Sequence, residues 1–428
     1  MQPVFRIIAQ MNEKNLSQQT LPSDRIVSID ALRGLTILVM IFVNDLGGVG
    51  GTPKWMKHYF PYDADGMTFV DVVFPAFLFI VGMAIPFAIG RRLDRGESLA
   101  SVWKHIFLRT LGLLVIGVFM VNSYSLGKDG VLNPNLWSFL MYAGVILVWN
   151  TPPGEQGRKR NLVLALRYVG VVLLILLAFL YRGTDKKELI EMRPHWWGIL
   201  GLIAWAYLVS CIAYTFLRRQ LAGMMGVTAI LYCMFMADRA GLFSGVWLDQ
   251  WVDFGSMLGS LAAITASGVV LGMILAPGSP EKTHGQRIRW AFFYALGMAV
   301  AARFLYSLHQ KDPTFIINKN AATVPWCLYS SAITVGVWIA IYWLMDVKGW
   351  VGWARIIQPA GENPLFAYVL QPMIYATLSI LALLWGGFNP HEWLGQGFAI
   401  GFWRALVFAF LVTWLTGALK KLGVRLRL

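Results

Sequence analysis

About twelve stretches of this chain are apolar over the length of a bilayer crossing, and that constraint outweighs every other feature of the sequence. A membrane helix needs roughly 20 mostly apolar residues, because the hydrocarbon core is about 30 Å thick and a helix rises about 1.5 Å per residue. The candidate segments are 28–46, 71–90, 106–122, 137–150, 166–181, 196–216, 221–237, 256–276, 291–307, 324–345, 364–385 and 397–419, the fourth and seventh having the least definite lengths. Composition agrees: 57% of the 428 residues are hydrophobic, 14% are charged, and the mean hydropathy is +0.59. A soluble domain carries about a quarter charged residues, so a soluble, disordered, collagen-like or disulfide-stapled fold is excluded. The expected fold is an all-α polytopic integral membrane protein, a bundle of about 12 transmembrane helices.

Orientation follows from the basic residues. Residues 1–24 are polar and lack an uninterrupted apolar core before the first span, which reads as a cytoplasmic N-terminal tail rather than a signal peptide. With an even number of spans both termini share one side. Placing them inside puts 24 Lys and Arg in inner segments or at the inner ends of spans, Arg33, Arg109 and Arg167 among the latter, and ten in outer segments; Arg303 and Arg404 fall within spans, accounting for all 36. Cytoplasmic loops carry such an excess, so both termini are expected to be cytoplasmic. The net charge of +14 is spread over short gaps between spans, which is not a nucleic-acid-binding stripe. The three cysteines, Cys211, Cys233 and Cys327, lie far apart inside apolar runs, with no metal-ligand spacing. No internal repeat is visible, and no loop is long enough for a separate soluble domain, so residues 25–428 form one membrane domain.

Ionisable residues inside spans are costly and are functional candidates by default. Asp30 and Arg33, three apart on one face of the first span, read either as a local ion pair or as a cationic lip for an anionic ligand. At the outer end of the same span stands Phe42-Val43-Asn44-Asp45, followed by glycines at 47, 48, 50 and 51 and then His58. Asp63, Asp65, Gly66-Met67-Thr68 and Asp71-Val72-Val73-Phe74-Pro75 come next. One short outer hairpin thus holds an amide, an imidazole and several carboxylates. Histidine suits general base work near neutral pH. A carboxylate behind it fixes the tautomer, and an amide can donate to a developing oxyanion. The bland alternative is an interfacial histidine at a loop end. No serine or cysteine stands in a nucleophile-elbow context.

The remaining histidines carry less. His105 and His284 lie in basic inner loops, His195 and His391 at outer span edges beside Trp, and His309 has no assignment. Asn318, Lys319 and Asn320 precede the tenth span. Asn363 before Pro364 reads as a helix N-cap with proline at the first helical position. Arg404, inside the last span, needs a partner or a water-filled cavity.

Taken in order, these segments resemble the transmembrane acetyltransferases typified by heparan-α-glucosaminide N-acetyltransferase and its bacterial relatives. The resemblance is carried by Ser28–Gly34 with Phe42-Val43-Asn44, by His58, and by Gly66-Met67-Thr68 with Asp71–Pro75. Further along it is carried by Asp253-Phe254-Gly255 with Leu258-Gly259, by Ile317–Asn320, by Asp346–Gly349, and by Asn363 with Leu365 and Tyr368. Two departures stand out. The stretch from Asn44 to Gly66 is a few residues longer than in the lysosomal enzyme, and Ala64-Asp65 stands where the family has Trp-Asn. The chain also lacks that enzyme's large luminal segment and has about two spans beyond its ten-helix core, the surplus being the hairpin at 166–216.

The resemblance implies an acyltransferase in which acetyl-CoA, the donor, approaches from the cytoplasm and an amino sugar is acetylated at the outer face, with no metal. His58 matches the family's catalytic histidine and Asn44 the asparagine beside the acetyl group. Asp71 matches the acid opening the second helix, and its pairing with His58 is an inference from the hairpin. Arg33 matches the arginine at the cytoplasmic mouth, and Arg33 and Asn363 are the expected donor-binding residues. Asn318, Lys319 and Asn320 are the expected acceptor-binding residues. The partners implied are the bilayer and an amino-sugar or glycan acceptor, in a bacterial inner membrane; a homodimer is left open. Two competing readings are a secondary transporter, against which the missing repeat weighs, and a membrane O-acyltransferase acting on surface polysaccharide.

Overall fold

The computed structural model describes residues 26–127, 130–152, 158–185 and 188–428; the polar tail at 1–24 lies outside them. Among the described residues, eleven helices are long and apolar enough to cross a bilayer: α1 (Val27–Gly47), α2 (Val70–Asp94), α3 (Leu99–Ser123), α5 (Arg160–Leu180), α6 (Ile199–Leu217), α7 (Leu221–Arg239), α8 (Phe254–Leu275), α9 (His284–Tyr306), α10 (Val324–Val347), α11 (Pro364–Leu384) and α12 (Phe398–Lys421). The remaining expected span is the apolar helix α4 (Pro134–Trp149), only 16 residues long. Asn133 and Pro134 start it and Asn150 ends it, so the helix is cut short by its own cap residues. The only sheet among the described residues is a small hairpin, Gly183–Asp185 against Glu188–Ile190. This is an all-α polytopic membrane fold.

The bundle is built around α8, of whose apolar stretch 89% is buried, against 17% for α5 and for α9 at the periphery. Without a hydrophobic force between helices in lipid, close backbone approach through small residues drives packing. Gly82 of α2 and Gly268 of α8 provide that approach. A Cβ on Gly82 would collide with the Thr265 carbonyl oxygen, and one on Gly268 with the Phe79 carbonyl oxygen. The outward faces of α5 and α9 carry exposed Leu, Val and Phe, including Leu176, Phe179, Phe293 and Phe304. A large exposed apolar surface of this kind suits lipid contact.

The end of the bundle that carries the basic excess, labelled inner here after the expected orientation and its opposite outer, is stitched together by backbone contacts. Asp346, at the foot of α10, accepts hydrogen bonds from the first amides of α1, Val27 and Ser28, at 3.1 Å each. It serves as the cap that Ile26 cannot provide. Gly361, in the short helix Gln358–Glu362, packs against the backbone at Asp30 and Gly34. The segment 424–428 runs antiparallel to the loop after α4, with Arg427 donating to Trp149 and Thr151 donating to Arg425. The start of α1 and the chain's last residues therefore lie at the same end of the bundle.

Candidate active site at the outer end

His58 and Asp71 meet. The hairpin after α1 returns His58 to the first turn of α2, where its Nδ1 lies 2.7 Å from Asp71 Oδ1. Asp71 is 1% exposed, and its other oxygen accepts from the backbone amides of Tyr59 and Thr68, at 3.0 Å each, and from the Thr68 hydroxyl at 3.3 Å. The Thr68 hydroxyl donates chiefly to the Lys57 carbonyl, 2.7 Å away, which ties both sides of the hairpin to the carboxylate. A carboxylate held on both oxygens holds the imidazole in turn: Nδ1–H donates to Asp71, and Nε2 is left as the acceptor. The His58 side chain is 47% exposed.

Lys319 joins this pair from the loop between α9 and α10. Its Nζ lies 3.0 and 3.3 Å from the two ring nitrogens of His58 and 3.8 Å from Asp71 Oδ1. Burial pushes the Lys319 ammonium below its usual range, and the neighbouring Asp71 charge offsets part of that shift. The flanking asparagines have a different task. Asn318 is buried and donates to the carbonyls of Tyr62 and Ala64, and Asn320 also donates to Tyr62, each at 2.9 Å. Their amides hold the two outer loops together. Asp65, standing where the resembled family has Asn, accepts from the Ile317 amide and the Tyr306 hydroxyl at 2.8 Å each. Gly66 completes the seam by donating to the Ile317 carbonyl at 2.8 Å. Its φ is +153°, and a Cβ there would strike the Tyr59 ring, so this position requires glycine.

Asn44 belongs to a neighbouring cluster. Val43 and Val70, the residues before Asn44 and Asp71, pack together with Met40 and Val73, which sets the two polar groups at one depth on adjacent helices. The Asn44 amide, however, donates to Gln371 Oε1 at 3.4 Å. Gln371 donates in turn to the Ile41 carbonyl and to the Tyr375 hydroxyl, which donates to Asp45 Oδ1 at 2.6 Å. Asp45 also accepts from His391 Nε2 at 2.8 Å and from Arg404 Nη2 at 2.9 Å. The partner that Arg404 needs is therefore Asp45, and His391 is more than an interfacial histidine. Its signals in sequence are the acid beside Asn44 and the arginine inside a span; the pairing itself spans 346 residues to His391 and 359 to Arg404.

At the inner end, Arg33 pairs with Asp30 at 2.6 Å and donates to the Gly361 carbonyl, which favours the local ion pair. Asn363 makes no side-chain cap. Its amide instead donates to Val424 and accepts from Leu426, securing the segment 424–428. Above these residues a cleft of about 300 Å³ runs between α1, α2, α3, α6 and α11, with Arg109 and Arg427 on its inner part and Met40, Phe77 and Tyr368 deeper. Arg109 lies over the Tyr207 ring at 4.8 Å, and its Nε is buried without a hydrogen-bond partner among the described residues.

Three comparisons bear on kinship. Heparan-alpha-glucosaminide N-acetyltransferase of Homo sapiens is 26% identical over 372 residues, 81% of this chain and 52% of that protein. The enzyme of the same name from Mus musculus is 35% identical over 126 residues, 29% of this chain and 17% of that protein. The chain thus spans about half the length of the human relative it matches. A family described as a domain of unknown function, DUF5009, matches residues 25–252. Since that match takes in more than half of the sequence, this chain belongs to the DUF5009 family, and it is homologous to the transmembrane N-acetyltransferases that its motifs resemble.

Proposed function

We propose that this protein is a membrane acetyltransferase that moves the acetyl group of cytoplasmic acetyl-CoA to an amino sugar at the outer face. The observation that carries the reading is the His58–Asp71 pair, buried on its carboxylate side and open on its imidazole side. His58 Nε2 takes the proton of the attacking amine as its nitrogen bonds to the thioester carbonyl carbon. Asp71 keeps the ring in the tautomer whose Nε2 accepts, the nitrogen that Lys319 Nζ approaches to 3.3 Å, and balances the imidazolium. Asn44 donates its free N–H to the carbonyl oxygen as that oxygen gains charge. When the tetrahedral adduct collapses, the C–S bond breaks and CoA leaves as thiolate, which needs little protonation.

The inner cleft supports the donor half of this reading. An arginine with a buried, unpartnered Nε and a second arginine at the same cleft suit phosphate groups, which guanidinium binds bidentately. The apolar part deeper in the bundle suits the acyl-bearing arm. Purified protein and a His58→Ala variant, assayed for free CoA released from acetyl-CoA with and without glucosamine, test the proposal. Glucosamine-dependent release should fall about 10²–10⁴-fold in the variant, the usual contribution of a general base. A loss below tenfold removes His58 from the role, and absence of release from wild type under all acceptors removes the reaction.

A further inference from the structure

A groove of about 720 Å³ runs along the flank of the bundle between α7 and α9, with Ser267 of α8 on its floor. It shares no lining residue with the inner cleft or with the outer polar clusters. Helix α9 packs along α10 and stands off from α7, which leaves the gap. The lining follows α9 from Gln286 to Leu305, about 28 Å at the rise of a helix, against about 30 Å for the hydrocarbon core. The groove is therefore long and narrow, and it lies where lipid reaches it.

Its walls suit an alkyl chain. Met225 and Met236 line it from α7, and Phe293, Met298 and Leu305 from α9. The polar groups among them are satisfied or sealed. The Thr228 hydroxyl donates to the Met224 carbonyl at 2.9 Å, and the Tyr294 hydroxyl to the Ser267 carbonyl at 3.3 Å. The hydroxyls of Tyr232 and Ser267 have no partner among the described residues and are fully enclosed. Gly297 is the position that decides between a packing fault and a site. Gly82 and Gly268 bring two backbones together, whereas a Cβ on Gly297 would meet nothing within 4 Å. Glycine there weakens the helix by about 1 kcal/mol relative to alanine and brings no neighbour closer. What it provides is room along the groove for something from outside the chain.

The inner mouth has a different chemistry. Trp290, its ring centroid 4.9 Å from that of Tyr294, stands at the mouth as tryptophans do at a membrane interface. Glu281, Gln286 and Arg289 line the same mouth. The Gln286 carbonyl is spent on the amides of Lys282 and Thr283, at 3.2 and 3.1 Å, which leaves its NH₂ group for a ligand. The Glu281 carboxylate and the Arg289 guanidinium do not pair with each other, and neither has a partner among the described residues. An acid and a base held apart at the end of an alkyl groove complement a headgroup that carries both signs, since guanidinium takes phosphate and carboxylate takes ammonium. We propose that the groove is a binding site for a zwitterionic phospholipid with a primary ammonium, a phosphatidylethanolamine. One acyl chain lies along Gly297, the phosphate meets Arg289 and the Gln286 amide, and the ammonium meets Glu281. The lipid fills the gap that α9 leaves beside α7 and stabilises the folded bundle by binding it. The inference does not depend on the acetyl-transfer reading.

Native mass spectrometry of the full chain in detergent, titrated with chain-matched phosphatidylethanolamine, phosphatidylcholine and phosphatidylglycerol, tests it. Thermal unfolding is followed in the same samples. An exposed ionic contact is worth up to about fivefold, so wild type should bind phosphatidylethanolamine about three- to fivefold tighter than the other two. Phosphatidylcholine keeps the phosphate but offers Glu281 no N–H, and phosphatidylglycerol has no cation. Glu281→Gln should bring phosphatidylethanolamine down to the level of phosphatidylcholine, and Arg289→Gln should weaken all three. Gly297→Phe should abolish the bound lipid and the rise in thermal midpoint that the lipid gives wild type. Its lipid-free midpoint should not fall, because the ring enters open space; should that variant fail to fold, the two surface variants carry the test. Lipid binding unchanged in Gly297→Phe overturns the site. Equal affinity of wild type for the three lipids, or a preference for phosphatidylglycerol, overturns the headgroup assignment. A wild-type dimer that Gly297→Phe dissociates shows a second copy in the groove and overturns the lipid.

Discussion

His58 is as reactive as Asp71 makes it, and Asp71 is as fixed as its four donors allow. Asp71→Asn keeps the size and removes the charge, leaving an amide that can favour the wrong imidazole tautomer. Turnover should fall about 10²-fold or more with little change in the acetyl-CoA KM, measurable by the same CoA-release assay. Lys319 provides a separate handle. Because burial disfavours its ammonium in the folded protein, the unfolded chain binds this proton more tightly. The cost is fully present below the depressed folded value and vanishes above the ordinary lysine value of about 10.4, so stability rises with pH across that interval. Thermal unfolding in detergent from pH 7 to 11 should show that rise, and Lys319→Met should flatten it. The His58–Asp71 pairing was legible in the sequence because 13 residues and a glycine-rich turn separate its members. The Asp45–His391–Arg404 cluster was only half legible: an arginine inside a span announces that it needs a partner, but nothing local identifies one more than 300 residues away.

At the scale of elements, hydropathy placed the spans because a bilayer crossing is a local demand met residue by residue. It does not reveal which helices sit at the centre, because α5 and α8 are both strongly apolar while one is peripheral and the other almost wholly enclosed. Small residues mark the difference, since α8 carries Gly268 and Gly272 where α2 passes against it. Gly268→Val should force the two backbones apart and cost about 1–3 kcal/mol. It should appear as a lower yield of monodisperse protein and a lower thermal midpoint, with the outer polar clusters left untouched. Motif blocks that sequence reading associated with chemistry turn out to include joints. Asp346 caps α1, and Asp253 accepts from the Ser256 amide at the start of α8. Their positions in the family order reflect where helix ends need a carboxylate as much as where a ligand does.

For the whole molecule, the two ends do different work. The inner end is closed by backbone stitching, and the side chains of Asn363 and Asn150 both hold the segment carrying Arg427 and Leu428 to the cleft. Asn363→Ala should loosen that segment: amide exchange at 424–428 should speed up, and the acetyl-CoA KM should rise with kcat unchanged. Unaltered exchange would show that the strand-like pairing with residues 149–151 is sufficient. The outer end is assembled from two loops that lie far apart in the chain and share one seam, Gly66 to Ile317, Asp65 to Tyr306, and Asn318 with Asn320 to Tyr62. Neither loop can drift by a residue without unseating Lys319 from His58. The two segments therefore form one unit of inheritance: across relatives, an insertion between His58 and Gly66 is tolerable only with a matching change at 317–320, so their lengths should vary together or not at all.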